Sequence, residues 1–219
     1  MKALFYCLLL SCLLMGCDKY SETVIEPSTC KFINYCYFGD STATLGELSN
    51  SYILVAFDSN ATESQIRSFI RSEKEFDSTF TYTLYGNTAP LKFKQSKDCQ
   101  DITAFIATLQ KDPMVTFVHY TMKTDCSYTF MPILASRCVN TYSNFFTVKI
   151  KDANDLTDLH TMIKLTGTKL VEQDRFSPQW FTLKADKNSK GDALHMANHF
   201  KESKLFERAE PKLLKIPVE

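Results

Sequence analysis

The sequence predicts an α+β fold in which one β-α-β-β-α-β unit occurs twice in tandem. Three observations support this prediction. Apolar residues alternate in the segments where strands are expected, and they recur at i, i+3, i+4 and i+7 where helices are expected. The same order of patterns then returns in the second half of the chain at a nearly constant spacing.

The first unit opens with a strand in which Ile53, Val55 and Phe57 alternate with more polar residues. Asn60 and Glu63 have the spacing of a capping box that begins a helix. Two short alternating runs over 80–93, interrupted at Gly86-Asn87 and Pro90, predict a hairpin. A second helix ends before Asp112-Pro113, and a last strand follows over 114–120. The predicted buried helix faces are Ile66, Phe69 and Ile70, then Ile102, Phe105, Ile106 and Leu109.

The second unit repeats this order. Its first strand and first helix lie 93 positions after their counterparts, and its second helix lies 91 positions after. A loss of two residues inside a hairpin is easily tolerated, which favours a duplication. The alternative is that two unrelated α+β domains share these patterns, because few residues are identical between the halves. The matching apolar residues are Phe146, Val148 and Ile150; Leu159, Met162 and Ile163; Ala193, Met196, Ala197 and Phe200; and Leu205 with Phe206.

Each unit has only ~70 residues, which is close to the lower limit for a self-sufficient core. Two helices laid on one face of a four-stranded antiparallel sheet, the ferredoxin-like arrangement, would solve this problem. The other face of each sheet would stay partly open. An open and partly apolar face requires a partner, so the fold class indicates a binding module.

The C-terminal end is expected to leave the sheet. Pro211 cannot donate a ladder hydrogen bond, so strand pairing should weaken there. Pro217 favours an extended conformation at the residue before it. The predicted unpaired tail consists of Leu214, Lys215, Ile216, Pro217, Val218 and Glu219. The alternative is a disordered end without a role.

The N-terminus carries an export signal. Lys2 precedes an apolar run over 3–15 that is too short to span a membrane in the mature protein. The following Leu14-Met15-Gly16-Cys17 resembles the lipobox of bacterial lipoproteins. This resemblance implies cleavage before Cys17, acylation of that residue, and anchoring at the outer membrane or the cell surface. An ordinary secretory signal with a chance cysteine is the alternative.

Eight cysteines are present, and five of them remain after the signal and the lipidation site are removed. In an oxidising compartment we expect local disulfides between Cys30 and Cys36 and between Cys126 and Cys138. The odd number leaves at least one free thiol. A zinc site is the other possibility, but the sequence has no CxxC and no histidine near these cysteines.

The sequence offers little that predicts catalysis. The 25 basic and 25 acidic residues balance, so there is no electrostatic argument for nucleic-acid binding. His195 and His199 are spaced as in HExxH, but Met196 replaces the glutamate and no third metal ligand is evident. There is no GxSxG motif and no glycine cluster that would hold a phosphate. We therefore expect no enzymatic activity, no metal and no cofactor.

Two runs in the second half, Phe176 to Leu183 and Ala193 to Pro211, are similar to the N-terminal propeptides of subtilisin-like serine peptidases from Bacteroidetes. The resemblance covers residues 145–213, and its most specific parts are Met-Ala-Asn at 196–198 and Leu-Phe-x-x-Ala-Glu-Pro at 205–211. It implies an inhibitor I9-like unit that packs its sheet on a peptidase. Because no catalytic domain follows before Glu219, it further implies a propeptide that acts as a standalone inhibitor.

The resemblance also assigns roles to residues. Glu210 and Pro211 would dock on the peptidase, and the tail would enter the substrate cleft like a cleaved product, with Ile216 at the fourth subsite and Glu219 at the first. The target peptidase would belong to the same cell or to a host, and the inhibitor would be a monomer. Two alternatives stay open: an intermolecular chaperone for a peptidase, and an adhesion or interaction module unrelated to proteolysis. The predicted segments are a signal peptide (1–16), a lipid-anchored tether and lead-in (17–50), a first unit (51–123), a linker (124–143), a second unit (144–213) and a tail (214–219).

Overall fold

The computed structural model describes residues 29–127 and 135–219. The predicted signal peptide, the lipidation site Cys17 and the tether up to residue 28 lie outside the described residues. None of the helices in the described ranges is long and apolar enough to cross a membrane. The elements are β1 (Tyr35–Phe38), β2 (Ser41–Thr44), β3 (Leu48–Phe57), α1 (Glu63–Ser72), β4 (Thr88–Lys92), α2 (Cys99–Leu109), β5 (Val115–Thr124), β6 (Cys138–Lys149), α3 (Thr157–Thr166), β7 (Lys169–Gln173), β8 (Trp180–Lys184), α4 (Ala193–Glu202) and β9 (Arg208–Pro217).

In the first half, β3 lies between β4 and β5, and both pairings are antiparallel. Helices α1 and α2 cover one face of this sheet, where they pack on alternate side chains of β3, Ile53, Val55 and Phe57. The predicted helix faces are confirmed, because Ile66 and Ile102 are buried together with the other apolar residues of their stripes, except that Phe105 is only partly buried. Pro90 lies in β4. One flank of this strand pairs with β3, and within the described residues no strand pairs with its other flank.

Two local predictions for the first half are wrong. The capping box is made by Thr62 and Gln65, not by Asn60 and Glu63, because Asn60 and Asp58 form a turn of their own before the helix. The segment 80–84 forms no strand. Tyr85 and Thr88 form an isolated bridge that closes a tight turn. The other isolated bridge found in the described residues joins Phe76 to Phe93.

In the second half the strand order is β9-β6-β8-β7, with every neighbouring pair antiparallel. Helices α3 and α4 lie on one face of these strands. The core between the two layers contains Phe146 and Val148 of β6, Leu159 of α3, and Ala197 and Phe200 of α4, all of them buried. The predicted helix faces of this half are confirmed as well. Its last strand begins at Arg208, so Leu205 and Phe206 precede the strand that they were expected to open.

The two halves are joined through the sheet. Met122, Lys123 and Thr124 at the end of β5 pair with Asn140, Val139 and Cys138 at the start of β6. The result is one seven-stranded sheet. The predicted linker over 124–143 is therefore too long, because β6 already begins at Cys138. The disulfide Cys126–Cys138 closes the connection and confirms the predicted local pairing.

The lead-in before the first half is more ordered than its composition indicates. Strands β1 and β2 form a hairpin around Gly39, which has a φ of 62° and turns the chain in a left-handed conformation. The hairpin lies against the second half, since the Tyr35 and Tyr37 hydroxyls both donate to the Glu202 carboxylate at 3.1 Å. The predicted lead-in over 17–50 also contains the start of β3.

The predicted disulfide between Cys30 and Cys36 is wrong. Cys30 is bonded to Cys99 at the start of α2, across a sequence separation of 69 residues. Within residues 29–127 and 135–219, Cys36 is the free thiol, because β1 turns its side chain into the core of the second half. Burial raises the pKa of the Cys36 thiol to about 11, which favours the protonated thiol over the reactive thiolate.

An α+β fold with antiparallel sheets and helices on one side of each sheet is thus confirmed.

Candidate functional site

The predicted tail is part of the sheet. β9 continues through Pro217, and Leu213 to Pro217 pair in register with Tyr142 to Cys138 of β6. The register of β6 shifts between Tyr142 and Phe146, so Pro211 lies beside an irregularity where a missing donor is tolerated. The strand resumes after it. The prediction that residues 214–219 are unpaired is therefore wrong.

The end of the chain also covers the second face of the first half. Ile216 and Val218 are only 7% and 5% exposed, and they pack with Tyr52, Leu54 and Ala56, the β3 side chains that point away from the helices. This apolar cluster, which we call the back-face cluster, also contains Phe117 and Val139. The face that was expected to stay open for a partner is closed by the protein itself.

Glu219 is held by three side chains. Its carboxylate accepts a hydrogen bond from Tyr52, lies 2.6 Å from the Lys92 ammonium and lies 3.2 Å from the Arg137 guanidinium. The hydrogen bond from Lys92 is the main reason that the pKa of Glu219 is lowered. Its backbone oxygen accepts from the amides of Ser136 and Arg137. A glutamate held in this way is not presented to a protease subsite.

The two predicted docking residues are also engaged within the chain. Pro211 is buried opposite Phe146. The Glu210 carboxylate accepts from the amide of Gly39 at 3.3 Å and lies 3.8 Å from the Arg208 guanidinium. In this arrangement neither residue forms an available contact surface.

The candidate docking surface that remains exposed lies at the other edge of the second half. Strand β7 pairs with β8 alone among the described strands, and all five of its residues are exposed. Two of them, Leu170 and Val171, are apolar. An edge strand with exposed apolar side chains is a template for pairing with another chain. We call β7 together with Phe176 the β7 edge.

Phe176 is 95% exposed in the turn between β7 and β8. This turn is ordered by hydrogen bonds: the Asp174 carboxylate accepts from the amides of Phe176 at 2.7 Å and Ser177 at 2.9 Å. The backbone oxygen of Ser177 then accepts from Trp180 at 2.8 Å. A large aromatic side chain is therefore held in water by a fixed turn, at the end of an edge strand. Exposed aromatic residues of this kind are typical anchors of protein interfaces.

In the sequence, Phe176 is notable only as part of the family resemblance. The signal that could have identified it is the aromatic residue between Asp174 and Pro178, since a turn that short has no core into which the ring can fold.

A second feature is a polar cluster between the halves. His119 of β5 is 1% exposed and stacks between Phe117 and Tyr142, and its Nδ1 lies 2.8 Å from the Tyr142 carbonyl oxygen. The Tyr142 hydroxyl donates to Asp192 at 2.9 Å. Burial lowers the pKa of His119, although the Asp192 charge acts in the opposite direction. Burial also raises the pKa of Tyr142 well above its ordinary value. His119 and Asp192 also line a cleft between the halves.

The histidines of α4 do not form a metal site. His195 and His199 are both exposed. Across residues 29–127 and 135–219, no group of three or more histidine, cysteine, aspartate or glutamate side chains has a geometry that could hold a metal ion.

No protein-family model and no curated protein matches the sequence. Among solved structures, the chain is similar to the small subunit of acetolactate synthase from Thermotoga maritima, with 12% sequence identity and a TM-score of 0.25. The match covers 76% of this chain and 95% of that chain. At that TM-score the likeness carries no argument about either fold or function.

Proposed function

We propose that this protein is a lipid-anchored binding module of the cell envelope whose C-terminal half docks on a subtilisin-like serine peptidase and inhibits it. The observation that supports this proposal is Phe176, held almost fully exposed by an ordered turn beside an unpaired strand edge. A polar or smaller residue would suit an isolated turn better. A partner that covers the exposed phenyl ring removes apolar surface from water, and this burial stabilises the complex.

The β7 edge offers two kinds of contact to one partner. The outer backbone groups of Lys169 to Gln173 can pair with an extended segment, which supplies affinity without sequence preference. Val171 and Phe176 can fill pockets, which supplies specificity. The binding edge of a peptidase for its substrates is itself an extended strand, so the two surfaces are of a compatible type.

The class of partner comes from the sequence resemblance. One of the two similar runs, Phe176 to Leu183, begins at the exposed ring and continues through β8. A subtilisin-like peptidase is therefore the partner that best suits this part of the chain. The anchor at Cys17 would keep the complex at the outer membrane or the cell surface.

The mode of inhibition differs from insertion of the C-terminal tail. Insertion would require Ile216 and Val218 to leave the back-face cluster, at a cost of about 1.5–3 kcal/mol for each side chain. Glu219 would lose Tyr52, Lys92 and Arg137 as well. We propose instead that the docked module covers the entrance of the cleft and that residues 214–219 stay folded.

The strand orders support a common origin of the halves. The order β9-β6-β8-β7 with two helices on one face is that of a ferredoxin-like unit. The first half has the order β4-β3-β5 with α1 and α2, and the Phe76 bridge stands where the fourth strand would lie. We interpret the chain as two such units in tandem, of which the first has lost a strand.

The test uses the soluble form that starts at Asp18, with a panel of subtilisin-like and trypsin-like peptidases. Binding is measured by biolayer interferometry on peptidases with an inactivated serine, and inhibition is measured with the active enzymes. Phe176→Ala should weaken binding to the responsive peptidase at least tenfold. Phe38→Ala is the matched control, because Phe38 is also exposed but lies on the β1–β2 hairpin.

The other readings predict different results. A chaperone would raise the yield of active peptidase only when the enzyme is refolded in its presence. An adhesion module would bind none of the peptidases. Equal binding of the Phe176→Ala protein and the wild type would reject the β7 edge as the docking surface.

A further inference from the structure

Residues 30–33 cross the boundary between the two halves on the helix side of the sheet, and we call them the strap. At its first residue the strap is bonded to α2 of the first half through the Cys30–Cys99 disulfide. At its last residue, Ile33, it packs on the core of the second half, which also contains Cys36 of β1. The strap therefore connects one half to the other.

The central contact of the strap is Phe32. Its partly buried ring packs on the cores of both halves and meets the Tyr120 ring edge to face, with 5.6 Å between the ring centroids. The Lys31 amide donates to the Thr103 hydroxyl at 3.4 Å, and this hydroxyl is bonded to that of Tyr120 at 2.6 Å. A single long hydrogen bond stabilises the strap only weakly, so much of its attachment to the first half depends on the disulfide.

The two disulfides differ in how easily a reagent can reach them. Cys30 is exposed and Cys99 is half-buried, and Cys30 lines the cleft of about 620 Å³ between the halves. In the other disulfide, Cys138 is 1% exposed and Cys126 is half-buried. The rate of thiol–disulfide exchange depends on access of the attacking thiolate to a sulfur atom. The Cys30–Cys99 bond is therefore the one that a thiol in solution reaches first.

The free thiol of the described residues does not have this access in the folded protein. Cys36 is buried in the core of the second half, and burial raises its pKa to about 11. The thiolate, not the thiol, is the species that attacks a disulfide. Opening of Cys30–Cys99 therefore requires a thiol from outside the protein.

We propose that the Cys30–Cys99 disulfide is a redox-sensitive link between the halves, which a protein dithiol of the CxxC type reduces to release the strap. One thiolate of the dithiol attacks the sulfur of Cys30, the Cys30–Cys99 bond breaks, and the Cys99 sulfur leaves and takes up a proton. The second thiol of the dithiol then displaces Cys30 from the mixed disulfide. The two cysteines gain two electrons and two protons, and the dithiol is oxidised to its own disulfide.

Release of the strap changes the boundary between the halves and leaves the secondary structure in place. The strap precedes β1 and contributes no residue to a strand or helix among the described elements. The pairs between β5 and β6 and the back-face cluster do not include it. When Phe32 leaves both cores, Tyr120 becomes exposed and the halves can separate on the helix side. This link is distant from the β7 edge, and it does not depend on docking to a peptidase.

The probe is dithiothreitol, a small dithiol, added to the soluble form from Asp18. Quenched alkylation and mass spectrometry measure the reduction of each disulfide. Cys30–Cys99 should be reduced at least tenfold faster than Cys126–Cys138, and reduced thioredoxin, a CxxC protein, should show the same selectivity. Hydrogen exchange of the partly reduced protein measures the effect. The amides of the strap should exchange at least tenfold faster than in the oxidised protein, while those of β3 and β6 remain much slower than the strap.

Two double variants separate this link from the other disulfide. Cys30→Ser with Cys99→Ser should reproduce the rapid exchange of the strap without any reagent. Cys126→Ser with Cys138→Ser is the matched control and should leave the exchange of the strap within twofold of the wild type. Circular dichroism verifies that both variants are folded.

Three results would overturn the proposal. They are reduction of the two disulfides at equal rates, unchanged exchange of the strap after reduction of Cys30–Cys99, and exchange of β3 and β6 as fast as that of the strap. The last result would mean that the bond is required for the whole fold and is not a local switch.

Discussion

In each half the helices cover one face of the sheet, and the opposite face is buried to a different extent in the two halves. In the first half, Tyr52 and Leu54 point away from the helices and are buried under Ile216 and Val218 from the end of the chain. In the second half, the corresponding residues Phe145, Thr147 and Lys149 of β6 are half-buried, and the neighbouring edge strand β7 is exposed along its whole length. One half is closed by its own chain, and the other leaves an edge strand exposed.

This difference supports the β7 edge as the proposed docking surface. The same strand alternation describes both halves, yet only the first receives a covering segment. The tail therefore has a structural role. The β7 edge, where Phe176 lies, is the remaining candidate for a partner surface. The comparison also predicts that changes at the end of the chain act on stability and that changes at β7 act on binding.

The largest effect is expected from deletion of residues 214–219. Deletion removes Ile216 and Val218 from the back-face cluster, removes four β9 residues that pair with β6, and exposes Tyr52 and Leu54. We expect the free energy of unfolding to fall by about 5 kcal/mol, from the loss of apolar burial and strand pairing. Urea unfolding followed by tryptophan fluorescence measures the change.

The same deletion tests the abandoned role of the tail. If the shortened protein keeps the wild-type urea midpoint and loses inhibition of a peptidase, then residues 214–219 act on the enzyme and our account of the back-face cluster fails. A control is Lys212→Ala, which changes an exposed β9 residue outside that cluster.

The next largest loss of stability is expected from removal of the disulfides, and it should differ between the two. Cys30–Cys99 fixes the lead-in to the first half across 69 residues, and Cys126–Cys138 closes a loop with a separation of 12. From the loop entropy of the unfolded chain, replacing the first pair by serines should cost about 4 kcal/mol and replacing the second about 3 kcal/mol. Thermal and urea unfolding of both double variants give the comparison. A larger loss for the short loop would show that strain or local packing, and not chain entropy, determines these contributions.

The sequence was sufficient for the helices and for most strands, because their signals are local. The apolar faces of α1 to α4 follow from spacing alone, and all four pack on the core, with only Phe105 and Ile163 partly buried. The alternation at Ile53 and Phe146 likewise located β3 and β6. The predicted position of the capping box is wrong by two residues. Asn60 and Thr62 are both favourable N-cap residues, and only the chain direction after Asp58 decides between them.

The tail and the cysteines could not be predicted, because their partners are distant in sequence. Pro211 has the residue type that ends a strand, but a register irregularity in β6 opposite it allows β9 to continue. Cys36 is six positions from Cys30, which favours a local bridge, yet β1 directs it into the core and Cys99 is brought to Cys30 instead. Sequence spacing carries no information about such contacts.

A smaller effect is expected from pH, at the boundary between the halves. Burial lowers the pKa of His119 in the folded protein, so the folded state binds fewer protons than the unfolded state below the ordinary histidine pKa of about 6.5. Stability should therefore be complete above that pH and should fall as pH decreases, by up to about 1.4 kcal/mol per pH unit. Urea unfolding between pH 7.5 and 5.5 measures the slope.

Two variants test whether His119 causes this slope of stability against pH. His119→Gln should reduce it, and His160→Gln, at an exposed position of α3, should leave it unchanged. A slope that persists in His119→Gln would place the titrating group elsewhere.

The last comparison uses a matched pair of valines, one of which should have almost no effect on stability. Val171 of β7 is 49% exposed, and Val218 of the back-face cluster is 5% exposed. Val218→Ala removes buried methyl groups and should cost about 2 kcal/mol, whereas Val171→Ala should change the free energy of unfolding by less than about 0.5 kcal/mol. In the peptidase assay the order should reverse, because Val171 lies on the proposed docking surface and Val218 does not. Equal losses of stability at both positions would mean that β7 is covered within the protein, and the C-terminal half would then have no free edge with which to bind a peptidase.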